Sequence, residues 1–239
     1  AGLVLEGGGM KGAYTTGVLD FFLEKGIEFS RVYGVSAGAI HMMSYLSKQK
    51  KRSINIGIKY AGDKRYCSVE SLLRTGDIFN VDMCYNLIPR KYDPFDNEAY
   101  LRYKGKAFAV VTNIETGKPE YLSEEKDEDR LATIATASCS LPLVGRPVKT
   151  EGKCYMDGSM TDPIPVVHAL EKGCDKIILI STKGEGMDPS DLSKYNWAMR
   201  ILYGKKVKPF LAAMKNRLDL YYKQWDMIYD LEKQGTLFL

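Results

Sequence analysis

Apolar and polar positions alternate between two periods along the N-terminal part of the chain. Leu3 to Leu5 is a short apolar run, closed by Glu6 and the Gly7-Gly8-Gly9 turn, and it predicts a strand. From about Gly12 the apolar positions Val18, Leu19, Phe22 and Leu23 recur at helical spacing. Gly26 stands where a helix ends on a left-handed residue. Val32 to Val35 predicts a second strand, and Ser36 sits where that strand turns into a helix running to about Ser47. Such alternation points to parallel strands joined by helical crossovers, and so to the α/β class.

The stretch from Lys51 to about Tyr103 is less regular and reads as short helices and loops over one end of the sheet. Ala107 to Thr112 and Pro119 to Leu122, separated by Glu115-Thr116-Gly117-Lys118, predict a hairpin. A helix is expected from about Asp127 to Ala137, a strand over Lys153 to Met156 ending at Asp157, a helix over Pro163 to Lys172, and a buried strand over Lys176 to Ser181. Pro209 suits a first helical turn. Beyond it Leu211, Met214, Leu218, Tyr221, Trp225 and Ile228 alternate three- and four-residue spacings, the stripe of a helix packed on a core. Two units are therefore expected: an α/β core over residues 1–183 and a helical extension over 184–239 packed on it. Thr236 to Leu239 reads as the first half of a strand, so the natural protein is expected to continue.

Composition narrows the class without choosing a function. With 239 residues, 45% hydrophobic and 27% charged, the chain can bury a sizeable core and is not of disordered type. No apolar run approaches the roughly 18 residues of a membrane span, and no secretory signal pattern opens the sequence. The five cysteines (Cys67, Cys84, Cys139, Cys154, Cys174) are odd in number, widely spaced and free of C-x-x-C pairs, which fits a reducing compartment. A cytoplasmic location is the expectation. The net charge of +4 leaves room for peripheral contact with a membrane surface, with basic runs at Lys48 to Arg52 and Lys205 to Lys208. Neither run is interleaved with aromatics as a nucleic-acid platform would be, so no nucleic-acid partner is expected.

The strongest chemical signal is Gly34-Val35-Ser36-Ala37-Gly38, a G-x-S-x-G pattern between a predicted strand and a predicted helix. A serine in a tight strand-to-helix turn holds its hydroxyl clear of the backbone, and the flanking glycines allow the turn. The competing role for Ser36 is a helix cap. Gly7-Gly8-Gly9-Met10-Lys11-Gly12 likewise follows a strand and precedes a helix, and successive glycine amides can converge on one oxyanion. Gly7, Gly9 and Gly12 also fit a dinucleotide-type G-x-G-x-x-G, although Phe29 and Ser30 lie where a ribose-binding acid is expected.

Activation of Ser36 has three candidates. The chain has two histidines. His41 lies about 140° around the helix from Ser36, and His168 sits among apolar neighbours. Asp157, in Met156-Asp157-Gly158-Ser159, ends a strand at a glycine turn. To accept a serine proton its carboxyl, ordinarily titrating near about pH 4, must be raised by burial or act in concert with the attack.

Together and in this order, the three elements resemble the patatin-like phospholipase family, whose pattern is G-G-G-x-[RK]-G, then G-x-S-x-G, then D-G-[GA]. The resemblance spans Leu3 to about Thr182 and implies a three-layer α/β/α sandwich around a mainly parallel sheet. It implies Ser36 as nucleophile, Asp157 as base, Gly7, Gly8 and Gly9 as the oxyanion loop, Gly34 and Gly38 as the elbow glycines, and no metal or organic cofactor. Ala137 to Pro142 is similar to the family's site-lining Ala-Ser-x-x-x-Pro segment. The implied substrate is a lipid acyl ester. Ser159 departs from the pattern, where its hydroxyl could weaken the base; Lys11 replaces the commoner arginine. A catalytically silent acyl-lipid-binding protein on the same scaffold is the alternative, and a nucleotide-binding protein a further one.

Overall fold

A computed structural model of the chain describes residues 1–123, 127–183, 191–204 and 207–239. Strand β1, Gly2–Leu5, lies at the centre, hydrogen-bonded in parallel to β2, Arg31–Val35, on one side and to β7, Ile177–Ile180, on the other. Strands buried on both faces lack polar alternation, and Leu3, Val4 and Leu5 are all fully buried. Beyond β2 comes β3, Lys106–Asn113, in parallel; beyond β7 comes β8, Leu237–Phe238, also in parallel. The hairpin strand β4, Lys118–Leu122, and the strand β6, Lys153–Asp157, both run antiparallel to β3, and β5, Val148–Thr150, runs antiparallel to β6.

Helices cover both faces. On one, Leu3, Leu5 and Val32 pack with Leu19 and Phe22 of α1, Ala13–Lys25, and with Met42 and Leu46 of α2, Ala37–Leu46. On the other, Val4 and Tyr33 pack with Val166 of α7, Val166–Glu171, and with Tyr221 and Ile228 of α9, Lys208–Lys233. The three-layer α/β/α arrangement expected from the sequence is present. Tyr221, Trp225 and Ile228 of α9 lie against the central strands, Leu211 and Met214 pack with Met156 and Met160, and the segment after α9 adds the edge strand β8. The boundary expected after Lys183 falls at residues 184–190, outside the described residues.

Two local expectations shift. Helix α7 starts at Val166 rather than Pro163, because a residue preceding proline is pushed out of the helical region and Ile164 precedes Pro165. The three-residue β5 was not anticipated. Residues 51–103 form α3, Arg52–Tyr60, α4, Val69–Thr75, a π-helix, Met83–Tyr92, and α5, Asn97–Leu101, and α8, Asn196–Tyr203, precedes α9. Of the elements over 51–103, α3, the π-helix and Asn97 of α5 wall a cavity, with the loops between them, beside α2 and α6, Glu128–Ser138.

Candidate active site

Strand register brings the two motif residues together. Val35, the last residue of β2, pairs with Val110, and Asp157, the last of β6, pairs with the next residue, Val111. Strand β4 pairs with β3 on both sides of that junction, from Ala109 to Asn113, so β2 and β6 share the opposite edge of β3 and meet end to end. Ser36 follows one end and Asp157 forms the other.

Ser36 has φ 54° and ψ −124°, a strained conformation for a residue with a side chain, of the kind that concentrates at functional sites. Its side chain makes no capping hydrogen bond to α2, which removes the competing role. Its amide donates to Ser138 Oγ at 3.0 Å, and Ser138 Oγ donates to the Val110 carbonyl at 2.8 Å. Ser138 thus ties the turn to β3. The glycines are needed for close approach: a Cβ on Gly38 would strike the Leu5 carbonyl, one on Gly34 would lie 2.6 Å from Ala39 Cα, and one on Gly7 would lie 2.9 Å from Ser36 Cβ.

Asp157 is fully buried. Oδ1 accepts the Ser159 amide at 2.9 Å, while Oδ2 has no hydrogen-bond partner among the described residues. Burial raises the carboxyl's pKa, and the Ser36 hydroxyl, then the Ser159 side chain and amide, then the Arg217 guanidinium, draw it down. Burial prevails, so the Ser159 departure weakens the shift without reversing it. The Ser36 hydroxyl thus acts on a buried carboxyl whose second oxygen has no hydrogen-bond partner among the described residues.

The glycine loop lies between β1 and a short 3-10 turn, Gly9–Gly12. The amides of Gly7 and Gly8 donate to no acceptor among the described residues, and Gly9 has φ +54°. Both histidines stand aside. His41 is buried with neither ring nitrogen hydrogen-bonded among the described residues, and burial pushes its pKa down to about 4. His168 stacks on Tyr121 with ring centroids 3.4 Å apart and meets Tyr33 edge-on, in the layer on the other face of the sheet.

Sequence reasoning reached Cys139 only as part of the Ala137 to Pro142 segment and did not single out Tyr85. Cys139 is a neighbour of Ser36, Tyr85 and Asp157, and its thiol is pushed up to about 12 by burial and by the Asp157 charge. It is a neutral wall of the site, since the reactive form of cysteine is the thiolate. A cavity of about 450 Å³ opens beside Ser36, lined by Ile40, Ile54, Ile56, Tyr85, Ile88 and Leu131 among others. The basic run Lys48 to Arg52 is not a free positive face: Lys48 pairs with Glu28 at 2.5 Å, Lys50 with Glu24 at 2.6 Å, and Arg52 lies over the Phe95 ring. Of the second run, Lys205 and Lys206 lie outside the described residues. Among the described residues no group of three or more His, Cys, Asp or Glu side chains is placed to hold a metal ion, and no helix is long and apolar enough to cross a membrane.

The fold and site define an α/β protein built around a serine elbow. A model of the patatin-like phospholipase family matches residues 3–170, and the chain belongs to that family. It is 28% identical over 184 residues to the uncharacterized protein YjjU of Escherichia coli, covering 75% of this chain and 51% of YjjU. It is 28% identical over 190 residues to lysophospholipase nte1 of Aspergillus terreus, covering 75% of this chain and 12% of that protein. It is also similar to the crystal structure of VipD from Legionella pneumophila, with a TM-score of 0.44 and 18% identity, over 84% of this chain and 53% of that one. The chain thus spans about half the length of YjjU and a small part of nte1.

Proposed function

We propose that the chain is a serine acyl hydrolase that cleaves fatty acyl esters of the phospholipid or lysophospholipid class through Ser36 and Asp157. The observation that carries this reading is the strained Ser36, at the wall of a largely apolar cavity, brought by strand register to the end of β6, where the buried Asp157 Oδ2 has no hydrogen-bond partner among the described residues. Ser36 Oγ attacks the ester carbonyl as its proton passes to Asp157 Oδ2. The resulting oxyanion is held by the amides of Gly7, Gly8 and Gly9. Collapse expels the alcohol, which takes the proton back from Asp157. Water then attacks the acyl-serine, giving its proton to Asp157, and the fatty acid leaves as that proton returns to Ser36. The apolar walls suit an acyl chain, whose burial contributes about 0.8 kcal/mol per methylene.

The direct test is hydrolysis of a p-nitrophenyl acyl ester by the purified chain, with labelling by a fluorophosphonate. Turnover and a covalent adduct on Ser36 are expected, and His168→Ala should keep activity within about twofold, because its ring is not at the site. A chain that binds acyl lipid yet neither turns over nor labels would instead be the silent binding protein.

Peripheral membrane contact belongs to the same proposal. Its support is the exposed apolar rim at the cavity, Met10 at 64% and Ile58 at 70% exposure, together with Tyr14, next in sequence to the cavity-lining Ala13, at 67%. Placing a charge on that rim opposes insertion among lipid headgroups. Tyr14→Glu should lower flotation with anionic phospholipid vesicles several-fold while leaving hydrolysis of a soluble ester unchanged. Equal flotation of variant and wild type would remove this rim from the contact.

A further inference from the structure

The family match ends at residue 170, yet helix α9, residues 208–233, reaches both halves of the site. Arg217, Tyr221 and Gln224 stand at i, i+4 and i+7 on one face of that helix, the spacing that places side chains in a row. Arg217 Nε donates to the Ser159 carbonyl at 2.8 Å. The Ser159 amide is the group that holds Asp157 Oδ1, so the turn carrying the base is held at two successive peptide groups.

One helical turn further, Tyr221 Oη donates to Glu6 Oε1 at 3.1 Å. Lys183 pairs with the same oxygen and lies 4.7 Å over the Tyr221 ring. Glu6 Oε2 accepts from Ser181 Oγ at 2.6 Å and from the Thr182 amide at 2.9 Å. Thr182 Oγ1 in turn donates to the Gly7 carbonyl at 2.7 Å. The chain of contacts runs from α9 through a buried carboxylate to the first glycine of the loop. Another turn along, Gln224 Nε2 donates to Asp162 Oδ1 at 2.6 Å, and Tyr121 Oη donates to Asp162 Oδ2 at 2.5 Å. The helix is thereby anchored beyond the site as well.

We propose that Arg217 is a positioning residue for acyl transfer, and that α9, outside the segment matched to the family, sets the base and the glycine loop at a fixed separation. The proposal rests on the reading of Asp157 as base. Its physical reason is that reacting groups tolerate little displacement: a misplacement of about 1 Å far from the chemistry can cost about 100-fold in rate. A single rigid helix tied to both loops suppresses that displacement.

Charge supplies the diagnostic. Burial raises the Asp157 carboxyl, and the Ser36 hydroxyl, Ser159 and the Arg217 guanidinium oppose it. Arg217 itself faces Asp157, Tyr221, Glu6 and Asp191. Removing the cation leaves burial less opposed, so Asp157 takes up its proton at higher pH. A lysine keeps the charge but not the directed Nε–H.

The experiment is a pH profile of kcat and kcat/KM for p-nitrophenyl ester hydrolysis by the full chain, for wild type, Arg217→Met, Arg217→Lys and Tyr221→Phe. Arg217→Met should lower kcat about tenfold or more with KM nearly unchanged, and should displace the acid limb to higher pH. Arg217→Lys should return the limb to the wild-type position with kcat still reduced. Tyr221→Phe should lower kcat without displacing the limb. An unmoved acid limb in Arg217→Met overturns the proposal, whether or not its rate falls, because a merely structural role would lower activity equally at every pH. Should Arg217→Met not fold, a wild-type kcat in Arg217→Lys overturns it equally. The two failures are separable. Hydrolysis that survives Ser36→Ala defeats the dyad reading, whereas loss in Ser36→Ala with a wild-type limb in Arg217→Met defeats only the positioning role.

Discussion

Replacing Ser36 by alanine is expected to lower ester hydrolysis by about 10³-fold or more while leaving stability within about 1 kcal/mol of wild type. The loss is large because no other group at the site can take over the attack. The neighbouring Cys139 thiol stays protonated, raised by burial and by the Asp157 charge, and the Ser138 hydroxyl is engaged with the Ser36 amide and the Val110 carbonyl. The stability change is small because the hydroxyl does not cap α2. The turn is held by the backbone, through the Ser36 amide on Ser138 and the Ser36 carbonyl accepting from the Ala39 amide at 2.9 Å. Alanine keeps both bonds and the same φ. Acyl-lipid binding should therefore persist in the variant, measurable by calorimetry, while p-nitrophenol release and fluorophosphonate labelling disappear. Turnover at the wild-type rate would place the nucleophile elsewhere.

The elements that carry Ser36 were readable because each is local. A continuous apolar run, a glycine turn and a helical stripe define β1, α1, β2 and α2 within a few residues each, and the left-handed Gly26, φ 62°, closes α1 where the pattern places it. The hairpin of β3 and β4 and the stripe of α9 were readable for the same reason. What a sequence does not display is register. The proximity of Ser36 and Asp157 depends on Val35 pairing with Val110 while Asp157 pairs with Val111, and pairing between distant strands leaves no local signature. The motif order suggested that the two residues belong together; the edge of β3 is what brings them there.

Glu6 shows the same limit. Read locally, it is a polar residue closing an apolar strand at a turn. In the fold it is a buried carboxylate with donors from Ser181, Thr182, Lys183 and Tyr221. A charge at the buried end of a strand is a signal that partners must arrive from elsewhere, because an unpaired buried charge is costly. Which partners arrive is decided by α9 and the segment after β7, both remote in sequence. The cavity wall from α3 to α5 was readable only as irregular, since short helices without a sustained period announce neither their packing nor the space they enclose.

Asp157→Asn is expected to lower hydrolysis by about 10²- to 10⁴-fold, the range supplied by general acid–base catalysis. Asparagine is nearly the same shape, so its carbonyl oxygen can still accept the Ser159 amide. The amide nitrogen then stands where Oδ2 faces Ser36, presenting a donor where the mechanism needs an acceptor. In the wild type the base must be ionised to act, and burial raises its pKa above the ordinary carboxylate range near about 4. The rate should accordingly fall with acidification through that raised value. Stability moves the opposite way. The folded-state pKa exceeds the unfolded one, so the contribution of Asp157 to stability is fully present below the unfolded pKa and is lost as pH rises through the folded pKa. Asparagine does not titrate, so the melting temperature of Asp157→Asn should gain on the wild type across that window and stay ahead at neutral pH. A functional group held at a cost to stability, and relieved of that cost when its function is removed, is the usual signature of a catalytic site. An active Asp157→Asn variant would take the carboxyl out of the reaction. An inactive one whose melting temperature tracks the wild type at every pH would mean that the buried carboxyl is not the strained, poised base that its environment describes.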